Sequence, residues 1–252
     1  MIQTIGSNTD FILGIEDLTV SFDGFKAVDS LTLYVDNGEL RVIIGPNGAG
    51  KTTVLDLISG KTRATEGSIK FKNTELIGRK EHEIVNLGIG RKFQTPSVYD
   101  SLTVFENLEI SYPQGKTVFE SLRFTRSDEV VERIMEVIKD IYLLDHIDTR
   151  ADLLSHGQKQ WLEIGMLLVQ NPELIMLDEP VAGMSVKERE ATAELLKRIA
   201  KNRAIIIIEH DMDFVESIAN RVTVLHLGKI LAEGTMEDIK NDPKVKEVYL
   251  GD

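Results

Sequence analysis

Gly45-Pro46-Asn47-Gly48-Ala49-Gly50-Lys51-Thr52 fits the pattern G-x-x-x-x-G-K-[ST] and decides how the rest of the chain is read. The apolar run Leu40, Val42, Ile43 and Ile44 before it reads as a short buried strand. The segment from Thr52 to Ser59 after it reads as a helix, with Gly60 where a left-handed cap is favoured. Between them the glycines let backbone N–H groups turn inward without side chains in the way. Together with Thr53 at the helix start, the loop forms a concave positive site for phosphates. Lys51 supplies a full charge to the terminal phosphates, and the Thr52 hydroxyl is suited to ligate Mg²⁺.

Two further apolar runs end in ionisable residues. Leu174 to Leu177 delivers Asp178 and Glu179, where one carboxylate can hold the metal and the other can polarise an attacking water. Asp178 is assigned to the metal and Glu179 to the base. Ala204 to Ile208 is followed by His210. In a parallel sheet the carboxyl ends of such strands face the ligand crevice, so His210 is placed to touch the terminal phosphate and orient water. These residues specify an ATP-hydrolysing site with Mg²⁺ as cofactor.

Leu154-Ser155-His156-Gly157-Gln158 separates the chain from other phosphate-loop proteins. It resembles the LSGGQ signature of the ATP-binding-cassette (ABC) ATPases, and the likeness extends from about Phe11 to the C-terminus. The resemblance implies an α/β fold: a P-loop NTPase (RecA-like) core with an N-terminal antiparallel β subdomain and an inserted α-helical subdomain. It implies one domain over 11–252, with 11–94 and 160–252 forming the nucleotide-binding core and 95–159 the helical subdomain that carries the signature. In that family the signature serine and glycine face the γ-phosphate held by the opposite subunit, a role that falls on Ser155 and Gly157, beside Gln158. Gln94 resembles the Q-loop glutamine that touches Mg²⁺ and water. Phe22 stands where the family stacks an aromatic on adenine, and Val28 is expected to line the same pocket. His156 replaces the usual second-position glycine, and Ser185 stands where many relatives carry Asp in the D-loop.

Composition narrows the partners. A net charge of −12 over 252 residues, with no Lys/Arg run, argues against nucleic-acid binding. The absence of cysteine fits a reducing compartment. No run is apolar enough to span a membrane and no signal peptide is evident, so any channel is expected to come from other polypeptides. Phe11 to Tyr34 reads as strands around an Asp23-Gly24 turn, and Gly67 to Phe71 as another strand. Ser127 is placed to cap a helix whose stripe is Val130, Ile134, Val137, Ile138 and Ile141. Gln158 to Val169 continues helically with Trp161 in the core, and Val222 to Leu225 with Ile230 to Ala232 flank a Gly228-Lys229 hairpin.

Within the family, Val181-Ala182-Gly183-Met184, Glu209 to Val215 and the ending Val248-Tyr249-Leu250-Gly251 are similar to the branched-chain amino acid and urea importer group. Leu154 to Leu168 is most similar to the urea branch, so urea is the expected cargo and branched-chain amino acids the alternative. The resemblance implies a peripheral subunit on the cytoplasmic face of the inner or plasma membrane. Its partners would be two integral-membrane permease subunits, a second ATPase subunit and, indirectly, an extracytoplasmic solute-binding protein. The surface expected to meet the permeases lies near Gln94, Tyr99 and Val104. ABC ATPases that act on DNA carry a long coiled coil between Q-loop and signature. Only about sixty residues lie there, without sustained heptads.

Overall fold

The computed structural model describes residues 11–92, 98–113 and 126–250. Strands β1 (Phe11–Phe22) and β2 (Phe25–Asp36) form a long hairpin. Its two-residue turn places Asp23 and Gly24 both at positive φ, the left-handed geometry that matches strand twist. With β4 (Glu66–Phe71) and β5 (Thr74–Glu75) they make an antiparallel sheet of order β2-β1-β4-β5.

The second sheet has six strands in the order β10-β9-β3-β8-β7-β6. It is formed by β3 (Leu40–Ile44), β6 (Ile89–Lys92), β7 (Leu174–Asp178), β8 (Ala204–Ile208), β9 (Arg221–His226) and β10 (Lys229–Gly234). All its pairings are parallel except β9 with β10. Strands β3, β7 and β8 are buried along their whole length, as expected where both faces are covered. Alternate residues serve opposite layers. Val42, Ile44, Ile175, Leu177, Ile205 and Ile207 pack toward the helices, whereas Ile43, Met176, Ile206 and Ile208 pack toward the antiparallel sheet and α1 (Lys51–Ile58). Each fully buried Ile or Leu contributes about 1.5–3 kcal/mol, so this double-sided core holds the strand ends in place far more firmly than surface ion pairs could.

The helical layer contains α3 (Val104–Ser111), α4 (Asp128–Asp140), α5 (His156–Leu168), α6 (Val186–Ala200) and α7 (Met212–Ile218), with α2 (Glu81–Asn86) ahead of them near β6. Helices α8 (Met236–Asn241) and α9 (Pro243–Leu250) close the chain. The Ser127 hydroxyl caps α4 at Val130 N, and the stripe Val130, Ile134, Val137, Ile138 and Ile141 is buried as its spacing demands. Helix α5 begins two residues earlier than expected, because the Ser155 side chain caps it, and it runs through the anticipated 159/160 boundary. Trp161 is only partly buried; its indole N–H donates to Thr192 Oγ1 at 2.9 Å and its ring meets Tyr142 edge-on. The β9–β10 turn lies one residue earlier than read from sequence, at Leu227-Gly228, since Lys229 already pairs with His226.

A buried ionic cluster joins the two sheets. Arg41, fully enclosed on β3, donates to Glu39 Oε1 (2.6 Å), Glu233 Oε2 (2.6 Å), Thr223 Oγ1 (2.9 Å) and the Tyr34 carbonyl (2.7 Å). Four strand or turn segments thereby converge on one guanidinium, whose planar fork suits several acceptors at once.

Candidate functional site

The loop between β3 and α1 is held from both sides by neighbouring backbone. A Cβ on Gly45 would lie 2.2 Å from the Leu225 carbonyl oxygen, and one on Gly50 would lie 2.5 Å from that of Ala27. Both glycines have positive φ, so any side chain is excluded by conformation and by contact alike. Gly228 N donates to the Ala49 carbonyl at 3.0 Å, and Asp29 N donates to the Gly228 carbonyl at 2.9 Å. The loop, the β1–β2 hairpin and the β9–β10 turn are therefore locked together. Pro46, Asn47 and Gly48 form its outward part, while the Ala49 side chain is buried.

Helix α1 has no side-chain cap, whereas α3, α4, α5, α6, α7 and α8 each begin with a capping side chain. Its first N–H groups, including those of Thr52 and Thr53, are left to an outside acceptor, the arrangement that suits an anion. Lys51 Nζ donates to the carbonyls of Gly45 (2.8 Å) and Pro46 (3.0 Å), which keeps its charge over the loop. Burial lowers its pKa, and the carboxylates of Glu179 and Asp178 oppose that shift.

Thr52 Oγ1 donates to Asp178 Oδ2 at 3.2 Å, joining the start of α1 to the end of β7. Burial raises the Asp178 pKa, the Thr52 hydrogen bond lowers it, and Glu179 raises it further. A hydroxyl and a carboxylate crowded together this way, with a second carboxylate adjacent, fit a magnesium ion, whose charge would relieve both desolvation and repulsion. Glu179 follows with φ 48°, a left-handed conformation unusual for a side-chain-bearing residue, and its N–H donates to the Ile208 carbonyl at 3.0 Å. His210 Nδ1 stands 3.5 Å from Glu179 Oε1. Lys51, Thr52, Asp178, Glu179 and His210 are thus one cluster at the carboxyl ends of parallel strands.

The signature residues form a second cluster, anchored where α6 begins. The Ser155 hydroxyl accepts from Gln158 N (3.2 Å) and donates to Glu188 Oε1 (3.4 Å). The Gln158 side chain is turned inward, accepting from Ser155 N at 2.9 Å and meeting His146 Nε2 at 2.9 Å, so it braces the loop. Gly157 is buried directly under the Glu188 carboxylate. His156 Nε2 lies 3.0 Å from the Ala182 carbonyl oxygen, which ties the signature to the segment after β7. That segment bridges the clusters, Ala182 N donating to the Glu179 carbonyl at 3.3 Å. Ser185 caps α6 through Glu188 N.

Three expectations are changed or left aside. Val28 is 0% exposed and pairs with Val20 inside the β-subdomain core, so its side chain offers no lining surface; strand register, invisible in the residue type, turned it inward. Val104 is likewise fully buried in the first turn of α3, leaving Tyr99 as the exposed member of the expected permease-facing group. Gln94 lies outside the described residues.

Two neighbours escaped the sequence reading. Phe22 is 49% exposed, so it is no core residue, but Phe25, paired with it across the turn, is 64% exposed and offers a second aromatic face. Glu209 is buried, its Oε1 accepting from Val181 N (3.3 Å) and its Oε2 from His210 N (3.1 Å), so it holds the start of the Val181–Ser185 segment and His210 in one frame. Burial raises its pKa against those backbone bonds. The charge run Glu209-His210-Asp211 held the only signal for it.

Comparison with known proteins agrees with this architecture. A family profile described as ABC transporter matches residues 28–182, and one described as branched-chain amino acid ATP-binding cassette transporter matches 229–252. A probable branched-chain amino acid transport ATP-binding protein LivG from Archaeoglobus fulgidus is 38% identical over 250 residues, covering 95% of each chain. The ADP conformation of MJ1267, an ATP-binding cassette of an ABC transporter, superposes with TM-score 0.84 at 34% identity, covering 97% of this chain and 100% of that one. A dimeric post-hydrolysis structure of the cassette MJ0796 with ADP and Pi matches at TM-score 0.74 and 25% identity, covering 89% and 98%. No helix among the described residues is long and apolar enough to cross a membrane. A phosphate loop leading into an uncapped helix, set in this two-sheet core, and a family profile that matches more than half of the chain place it in the ABC transporter family as an ATPase with the ATP-binding-cassette fold.

Proposed function

We propose that the chain is the energy-coupling ATPase subunit of an importer for branched-chain amino acids. Its kinship with branched-chain amino acid cassettes over the whole chain, the C-terminal segment included, carries the cargo. The urea expectation, drawn from Leu154 to Leu168, finds no support in these relatives, and the alternative fits them better. The working partners are two membrane permease subunits, a second ATPase subunit and, through the permeases, a solute-binding protein. The chain then works peripherally at the cytoplasmic face of the membrane.

The nucleotide is held on the phosphate loop, with its base against Phe22 or Phe25. Thr52 and Asp178, together with Gln94, are the residues that would hold magnesium, which neutralises charge on the phosphates. Glu179 takes the proton of the attacking water and His210 orients it. Ser155 and Gly157 complete the site of a second subunit, so ATP favours a closed dimer and hydrolysis loosens it. The contact between Thr52 and Asp178, beside Glu179 and His210, is the observation that supports hydrolysis here.

Uptake of labelled leucine and labelled urea in cells lacking only this chain, with complementation, tests the reading. Selective loss of leucine uptake is the expected result. Selective loss of urea uptake would reverse the cargo, and loss of neither would remove both.

A further inference from the structure

The signature departs from the common pattern at His156 and the D-loop at Ser185, and the Ser185 side leads to Glu188. Glu188 is the third residue of α6 and caps it reciprocally: Oε2 accepts from Ser185 N (2.8 Å) and from the Ser185 hydroxyl (2.7 Å). Capping uses that one oxygen. The other, Oε1, receives the Ser155 hydroxyl at 3.4 Å and presses on Gly157, where an added Cβ would lie 2.2 Å from it. The carboxylate thus rests directly against the Gly157 backbone, which has no side chain to hold it off. The Ser185 backbone bond first, then its hydroxyl, lower the Glu188 pKa and keep it ionised. His156, on the Ala182 carbonyl and against Gly183, holds the two segments in this register.

We propose that Glu188 gates the signature loop: in the free subunit its carboxylate covers the face of Ser155 and Gly157 that the terminal phosphate of a partner-bound ATP must reach, and it has to turn away for the two-subunit site to close. This rests on the split-site reading given above, with a second copy of this chain as partner. An anion already bonded to the Ser155 hydroxyl and lying against Gly157 makes the approach of a phosphate unfavourable on two counts, since the hydroxyl is engaged and the charges repel. Glu188 touches no reacting atom; it acts through Ser155, as a positioning residue. Two states of one side chain, cap-only and cap-plus-signature, are all the gate requires.

Glutamine at this position keeps the capping box while removing the charge, which separates the gate from the cap. The test measures MgATP-driven self-association by sedimentation velocity in a Glu179→Gln reference chain, with and without Glu188→Gln, and records melting temperature alongside. The gate predicts a dimer about tenfold tighter in Glu188→Gln, a modest share of what like-charge juxtaposition costs at an interface, with the melting temperature unchanged. Glu188→Ala is expected to shift dimerisation the same way, with a lower melting temperature because the cap is lost. Unchanged or weaker association in Glu188→Gln would overturn the gate and leave Glu188 as a helix cap. A reference chain that stays monomeric at every MgATP concentration would overturn the split-site reading, and the gate with it.

Discussion

His210 Nδ1 lies 3.5 Å from Glu179 Oε1, although 31 positions separate them in the chain. Strand register makes the contact: Asp178 at the end of β7 pairs with Ile208 at the end of β8, so the residues that follow each strand emerge side by side. The left-handed backbone of Glu179 then turns its carboxylate toward the imidazole. If Glu179 is the base, Glu179→Gln should lower the hydrolysis rate by about 10²–10⁴-fold while ATP affinity stays near that of the native chain. Single-turnover hydrolysis beside equilibrium nucleotide binding checks both halves, and native turnover would take the base role from Glu179.

Lys51 bonds the carbonyls of its own loop at 2.8 and 3.0 Å, so its charge is already over the loop before nucleotide arrives. Lys51→Ala should weaken ATP binding roughly ten- to a hundredfold, the worth of a hydrogen bond or two to a charged group. Calorimetric titration with ATP and with adenosine gives the measurement, the second ligand being unaffected if the lysine serves phosphate.

The two exposed hairpin aromatics divide the adenine question. Phe22→Ala or Phe25→Ala, whichever ring stacks on the base, should cost about tenfold in ATP affinity. The other should change it less than twofold. Fluorescent-nucleotide binding to both variants decides between the notional partner read from sequence, Phe22, and the more exposed Phe25.

Arg41→Ala should be among the most destabilising single changes in the chain. It strands the buried carboxylate of Glu39 and removes the link from β3 to Glu233, a loss of about 3–5 kcal/mol for a broken buried ion pair. Urea unfolding of the native chain and the variant measures it, and Arg41→Lys should recover only part, because an ammonium lacks the fork.

Asp29 sits between Lys26 Nζ (2.7 Å) and Lys229 Nζ (3.0 Å), bridging the two hairpins beside the phosphate loop. The Lys26 hydrogen bond, then that of Lys229, lowers its pKa from the ordinary 3.8 to about 2. Folding therefore favours the ionised form, and the stabilisation is full above the ordinary value and lost as pH falls through about 2. Carboxyl-detected NMR titration should place the Asp29 transition near 2, and Lys26→Ala should move it back up.

Much of the site was legible because its signals are local. The phosphate loop needs glycines at fixed offsets between a strand and a helix, and the runs ending in Asp178-Glu179 and before His210 read as buried parallel strands from their unbroken apolar content. The helix cap at Ser127 was equally close at hand, since a cap acts over three residues, whereas the one at Ser155 was passed over in favour of a start at Gln158. What stayed hidden depends on which residues meet across elements distant in the chain. Val28 and Phe25 stand three positions apart on one strand, yet pairing with β1 buries the first and leaves the second exposed. Glu209 looked like one charge in a run, and only the fold brings Val181 N to it. Sequence by itself determined the family and its ATPase activity, because a phosphate loop demands particular groups at short spacings. Tertiary structure alone decided which side of each strand was buried and which carboxylate came to rest on Ser155, because burial and approach are set by register and packing between segments that no local pattern relates.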